Sequence, residues 1–403
     1  MPVVPFLLAD DAPFADPPAP SMTDHCDVAV IGAGLIGASA ASHLSASCKV
    51  TLIERESQPG YHSSGRSAAV LLPPYGGPLA RKLTAASIEF LTTPPQGFSE
   101  APLLSPRGCL LLAGKGEQEL LHAWVGESER TQAHAELLDV TRVVEKVPIL
   151  RAENIEAALF LPHVQDLDAA ALLQGFLKAL RACGGSLRTN SEVRALNHDG
   201  DGWLIQTATG DVRAKTLVNA AGAWADQLAE MAGVKVTGLI PTRRTMIVTS
   251  PPASIDVRGW PLVADVAETF YFKPDASRLM ISPADRAAVA AHDVQPEDWD
   301  AAVAVDRFEA ATSMSVSRIE HQWAGLRTFS PDDEPIIGFA ADAPDFLWAA
   351  AFGGFGVQAA HAAGCLCSAL VLGTAIPEEL SVQKIDLQAL SPARFTQRSQ
   401  ESR

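Results

Sequence analysis

The feature that most constrains this chain is a glycine run set between a strand and a helix. Residues 26–31 (CDVAVI) carry one charge and read as a short strand buried on both faces. Gly32, Gly34 and Gly37 follow, with Leu35 and Ile36 between them, and Ala-rich sequence with helical spacing continues to about residue 46. Residues 49–53 (KVTLI) form a second strand that ends in Glu54 and Arg55. Glycines at this spacing let the backbone approach a pyrophosphate, and the helix behind them aims its N–H groups and positive dipole end at the same phosphates. Glu54 lies 22 residues after Gly32, near the spacing of about 20 at which an acid meets a ribose hydroxyl. An acid there repels a 2′-phosphate, which excludes NADP in favour of FAD or NAD. The glycine run alone does not choose between those two.

The rest of the chain bounds the problem. At 403 residues it holds roughly two or three domains. Apolar residues make up 47% and the net charge is −16. The first figure excludes a disordered chain, and the second, without a Lys/Arg stripe, argues against nucleic acid as a partner. Six scattered cysteines read as reduced thiols in a cytosolic compartment. Residues 1–22, with six prolines, read as a flexible tail and have neither the positive start nor the apolar run of a secretory signal. Residues 346–377 contain no Asp, Glu, Lys or Arg, yet glycines at 353, 354 and 356 break the stretch. It parses as a strand, a turn and a buried helix from about Val357, not as a membrane span; peripheral contact with a membrane stays open. Elsewhere the pattern predicts helices at 77–92, 167–183 and 297–314, with Asp168 as an N-cap, and strands at 186–189, 193–197, 203–207 and 216–219. Residues 239–285 are β-rich. Cys365 and Cys367 are two apart on a helix and do not share a face, so no metal site is expected.

Three segments carry a resemblance that the glycine run does not. His62-Ser63-Ser64-Gly65-Arg66-Ser67-Ala68, directly after the second strand, resembles the flavin-embracing loop of the D-amino acid oxidase superfamily. Residues 218–224 (VNAAGAW) look like its second flavin-domain strand and turn. Residues 325–332 and 335–338, then Gly353-Gly354-Phe355-Gly356, look like its C-terminal flavin signature. The similarity runs from about residue 24 to about 394 and is greatest to bacterial D-arginine and D-amino acid dehydrogenases. It implies an α/β fold: a Rossmann-like FAD-binding domain (23–105, 150–235 and 322–403) and an inserted α+β substrate domain on a mixed or antiparallel sheet (106–149 and 236–321).

The resemblance also implies FAD, held by the residues of these motifs together with Glu54, Arg55, Val193, Ala220, Gly222, Trp224, Gly325, Val357 and Gln358. Covalent-flavin relatives carry a cysteine where this chain has Gly325, so the expected FAD is non-covalent. The helix from Val357 would aim its N-terminus at the pyrimidine end of the flavin, where reduction places negative charge. Arg327 and Arg244 match arginines near the substrate carboxylate, and an arginine fork suits two parallel hydrogen bonds to a carboxylate. Arg243 adjoins Arg244, so either of the two could point inward. Only three tyrosines occur, and two match active-site positions: Tyr271 for the carboxylate, and Tyr75 on a loop over the pocket. Gly354 and Gln358 match positions contacting the substrate amine and the pocket wall.

Where D-arginine-specific relatives place a histidine and an acid, this chain has Val70 and Cys109. Leu72, Leu262 and Ala264 would complete an apolar wall, and burying a guanidinium without a counter-charge is costly. The expectation is therefore FAD-dependent oxidative deamination of D-amino acids with apolar side chains, with a quinone or respiratory-chain component as electron acceptor. The alternatives are a glycine- or sarcosine-type secondary amine oxidase and a non-catalytic flavin-binding protein.

Overall fold

The computed structural model describes residues 23–395; the tail proposed at 1–22 lies outside the described residues. Asp24–Ile31 forms the first strand, Leu35–Ser45 the first helix and Val50–Ile53 the second strand. The two strands are parallel, with Val28 beside Val50 and Ile31 beside Ile53. Side chains alternate across the sheet. Val28, Val30 and Leu52 enter the core on one face, while Ala29, Ile31 and Ile53 enter the core on the other. Burial on both faces is why this segment shows an unbroken apolar run.

The first sheet runs in the order 193–198, 203–207, 212–219, 24–31, 50–53, 186–188, with Phe346–Ala350 parallel to the end of Val212–Asn219 and Ile336–Phe339 antiparallel to Phe346–Ala350. Helices Leu35–Ser45, Pro78–Thr92, Ala169–Ala182 and Gly356–Leu372 contribute to the larger core on one face. Asp168 caps the third of these, accepting a 2.8 Å hydrogen bond from the Ala171 N–H. A second, nine-stranded sheet is built around Ile240–Thr249, Tyr271–Asp275 and Cys109–Ala113, and helix Asp298–Ala311 packs on it. Three short antiparallel strands, Val70–Leu71, Gln165–Leu167 and Leu104–Pro106, form a third sheet. Among the described residues no helix is long and apolar enough to cross a membrane.

Two strands differ from the expected division of the chain. Ala157–Leu161 pairs with Cys109–Ala113, and His321–Phe329 pairs along nearly the whole of Ile240–Thr249. Both were assigned to the flavin half by boundaries at 150 and 322, and both belong to the second sheet. Their apolar patterns announce strands, but a pattern does not name the partner strand.

The first helix and Gly356–Leu372 approach most closely at Gly364. A Cβ there would lie 2.1 Å from Ser39 Oγ and 2.7 Å from the Ser39 carbonyl carbon. Gly364→Ala would gain about 1 kcal/mol of helix propensity, but displacing a packed backbone costs about 1–3 kcal/mol. A denaturant melt should therefore show a net loss of stability; a more stable variant would contradict the contact.

Candidate active site

A cleft of about 1820 Å3, counting its solvent-open part, runs from the carboxyl ends of the first sheet to the second sheet. Its lining is drawn from both sheets, a length that suits a long cofactor beside a substrate. At its start Gly32 has φ 101°, and a Cβ there would sit 2.4 Å from the Ala220 carbonyl oxygen. No side chain fits that position. The Ala33 N–H donates to Glu54 Oε2 at 2.8 Å, and the Glu56 N–H donates to Glu54 Oε1 at 2.9 Å. Glu54 is thereby fixed on the cleft wall. The N-cap residue of the first helix is Gly34, which has no side chain to satisfy the first-turn N–H groups. Ser64 Oγ accepts one of them, from Leu35, at 3.0 Å.

Around Glu54, the Arg55 guanidinium stacks over Trp224 at 4.0 Å, and the His62 ring lies 4.6 Å from the same indole. Burial lowers the His62 pKa, and its 2.9 Å contact with Glu56 opposes that shift. The loop that follows is stitched to the second sheet. Ser63 Oγ donates to the Leu326 carbonyl at 2.6 Å, Arg66 donates to the Ala324 carbonyl at 2.9 Å, and Trp323 Nε1 donates to the Arg66 carbonyl at 3.2 Å. Arg66 thus acts as a strut between the halves.

The far end of the cleft is cationic. In the pairing of Ile240–Thr249 with His321–Phe329, Arg244 faces Gly325 and Thr242 faces Arg327. Arg244 and Arg327 are therefore diagonal neighbours on one face, and both line the cleft with Tyr271. The choice between the adjacent arginines is resolved. Arg243 turns the other way, into Asp300 (Nε–Oδ2 2.7 Å) and Glu297. Arg244 Nε is buried without a hydrogen-bond partner. Burial and the charge of Arg327 both lower the Arg244 pKa. For Arg327 burial acts in the same sense, but Tyr75, Tyr271 and Glu268 outweigh it and hold the pKa up. Arg327 Nη1 donates to Tyr75 Oη at 3.3 Å. Its guanidinium lies against Gly354, where a Cβ would be 2.9 Å from the guanidinium carbon.

Most of the expected flavin contacts line this cleft, among them Gly34, Leu35, Ile36, Ser67, Ala68, Val193, Gly222, Gly353, Gly356 and Val357. Gly37, Gly65, Phe355 and Gln358 do not form its wall. Gln358 is buried and turned away: its Oε1 accepts from the Leu72 N–H at 2.9 Å and its Nε2 donates to the Leu72 carbonyl at 3.4 Å. It latches the strand leading to Tyr75 and is corrected here from a substrate contact to a positioning residue.

Of the expected apolar wall, Val70, Leu72, Cys109, Leu262 and Ala264 do come together, with Leu111, Leu161 and the edge of Tyr75. Leu72, Cys109 and Leu262 are buried, Val70 and Ala264 are partly exposed, and none of the five lines the cleft itself. Cys109 has no exposed surface, because its strand is flanked by Leu161 and Leu262, and burial pushes its thiol up to about 12. Two residues were missed. Met246 lines the cleft two positions from Arg244, a placement that strand alternation would have given. Glu268, on the turn before Tyr271, has a left-handed backbone (φ 54°) and interacts electrostatically with Arg327 and Arg244. No sequence signal marked it.

Residues 27–370 match the DAO family, described as FAD dependent oxidoreductase. This chain belongs to that family. FAD is accordingly its cofactor, and the glycine turn, fixed Glu54 and open helix terminus fit that group. Rat mitochondrial dimethylglycine dehydrogenase is 26% identical over 86% of this chain, and 4-methylaminobutanoate oxidase (formaldehyde-forming) of Paenarthrobacter nicotinovorans is 27% identical over 64%. The chain spans 43% and 31% of the length of these two relatives. Glycine oxidase from Geobacillus kaustophilus shares the fold, with a TM-score of 0.78 at 21% identity over 92% of this chain and 99% of that one. These DAO-family relatives do not single out the D-arginine dehydrogenases.

Gly32→Ala should lower FAD affinity by roughly tenfold or more, about 1.4 kcal/mol or above, because the methyl group must displace the Ala220 backbone. Flavin absorbance per protein after gel filtration measures this, and a full complement of FAD would contradict the cradle.

Proposed function

We propose that this chain oxidises a small glycine-type amino acid whose amine is free or N-methylated, such as glycine, sarcosine or dimethylglycine. The observation that carries this reading is the pair Arg244 and Arg327, facing the cleft without an ion-paired carboxylate among the described residues. Two guanidiniums in a partly buried site call for an anion from outside. The apolar cluster behind Tyr75 contributes no residue to the cleft lining, so it offers a bulky side chain little support there. The relatives named for N-methyl amines support the same choice. It was the alternative at the level of sequence, and it replaces the preference for apolar D-amino acids.

Bound FAD would supply the hydride acceptor. Arg327 would grip the substrate carboxylate through its fork, and the Tyr75 and Tyr271 hydroxyls would fix its orientation. Fixing the carboxylate fixes the adjacent carbon, whose hydrogen must point at the acceptor. The positive field of Arg244 and Arg327 disfavours an ammonium nearby, so the substrate nitrogen is pushed toward its neutral, electron-donating form. The bare backbone at Gly354 lets the Arg327 guanidinium pack against it and so helps to hold the fork in place. The imine released from a secondary amine hydrolyses in water to an aldehyde or oxo acid and the dealkylated amine.

Anaerobic bleaching of the flavin, followed across glycine, sarcosine, dimethylglycine, D-leucine, D-phenylalanine and D-arginine, tests the reading. Sarcosine or dimethylglycine should reduce the flavin faster than any D-amino acid with a side chain. Faster bleaching by D-leucine or D-phenylalanine would restore the apolar D-amino acid reading, and no bleaching at all would favour a non-catalytic flavoprotein. Arg327→Lys should cost about 2–3 kcal/mol in kcat/KM for the accepted substrate, since a point charge does not replace the fork.

A further inference from the structure

Away from the cleft, two histidines and a cysteine meet between helices. His361 and Cys365 are four residues apart on Gly356–Leu372 and therefore share a face. His43, in the last turn of Leu35–Ser45, faces them from the packed neighbouring helix. Cys365 Sγ lies 3.5 Å from His43 Nε2 and 3.6 Å from His361 Nε2. The three ligand atoms all fall within 4.8 Å of one another. The surroundings are aromatic: Phe90 stacks on the His361 ring at 3.9 Å, and Phe176 lies 6.1 Å from the His43 ring.

This arrangement is poorly satisfied by the protein alone. Two imidazoles bring two ring N–H donors and two ring acceptors together here, His361 buried and His43 partly exposed. Among the described residues the only hydrogen-bonding partner they have is the Cys365 thiol. A thiol is a weak donor and a weak acceptor, and an unmet buried polar group costs about 1–3 kcal/mol. Neutral imidazoles with a free lone pair are the form that ligates metals.

The spacing is of the right order for a shared ion. A tetrahedral zinc ion with Zn–S of about 2.3 Å and Zn–N of about 2.0–2.1 Å holds its sulfur and nitrogen ligands about 3.5–3.6 Å apart. Cys365 Sγ lies 3.5 and 3.6 Å from the Nε2 atoms and 3.9 Å from the Nδ1 atom of each ring, so both imidazoles must turn to aim a lone pair at the ion. We propose that His43, His361 and Cys365 form a structural site for one zinc-class cation that clamps the first helix to Gly356–Leu372. Glu379, partly buried on the short helix Glu378–Val382, interacts with the Cys365 side chain and is the candidate for the fourth position. Binding would replace the thiol S–H bond by an S–Zn bond and release that proton to solvent. Cys365 shares its face with His361, four residues earlier, and not with Cys367.

The clamp has a structural consequence. The two helices begin at Leu35 and Gly356, both on the wall of the cleft. A bond between their bodies would hold both N-termini in register with the cofactor.

The test uses FAD-loaded protein stripped with a chelator and then given Zn2+ alone. Wild type should retain one zinc per chain through gel filtration, by mass spectrometry of the metal, and should melt at a higher temperature with zinc than without. Cys365→Ala should bind zinc at least roughly tenfold more weakly, keep its flavin, and lose the zinc-dependent rise in Tm. Zinc uptake by wild type no greater than by Cys365→Ala would overturn the proposal. Should that variant fail to fold, Co2+ in wild type decides. Intense tetrahedral ligand-field bands to the red of the flavin spectrum support the site, and the weak spectrum of octahedral cobalt refutes it.

Discussion

Two like charges held side by side set the terms for this molecule. Arg244 and Arg327 sit diagonally on one sheet face, partly buried, and neither has an ion-pair partner among the described residues. Each makes the other harder to keep charged, and desolvation adds to the penalty. At Arg327 the nearby Tyr75, Tyr271 and Glu268 outweigh the penalty, whereas Arg244 stays lowered. The result is a standing demand for an anion, which the carboxylate of the proposed substrate would meet.

The fold sustains that demand through its neighbours. Strand alternation sends Arg243 to the opposite face, where Asp300 and Glu297 bind it and tie Ile240–Thr249 to helix Asp298–Ala311. The strand that presents an unpaired arginine is anchored by a paired one. On the other side of the cleft, Arg66 and Ser63 fasten the flavin-half loop to strand His321–Phe329. The charged end of the cleft and the phosphate cradle are thus fixed relative to one another by hydrogen bonds to backbone carbonyls. Gly325, opposite Arg244, lets Arg66 pack close against the strand, since a Cβ there would lie 3.2 Å from Arg66 Cβ.

Local features were legible in the sequence, and long-range pairings were not. The strand, glycine turn and helix at 24–45 announce themselves, because sheet burial and phosphate access dictate residue type position by position. Asp168 was legible as a cap for the same reason. The membership of Ala157–Leu161 and His321–Phe329 in the second sheet was not, since any apolar strand can pair with several others. Arg243 and Arg244 could not be told apart until the register against Gly325 was known. The five residues of the expected apolar wall were legible as a group, but grouping does not say which way a cluster opens. His43 and Cys365 stand 322 residues apart, and only helix packing brings them together.

The central claim is that unpaired guanidinium charge creates the carboxylate site. Titration of the FAD-loaded protein with acetate, which offers a carboxylate and nothing to oxidise, probes it most directly through the flavin absorption spectrum. The account predicts a saturable spectral change whose Kd rises by roughly tenfold or more in Arg327→Met, about 1.5–3 kcal/mol, and is unmoved in Arg286→Met at an exposed ion pair with Asp333. The same Kd in Arg327→Met and wild type would contradict it.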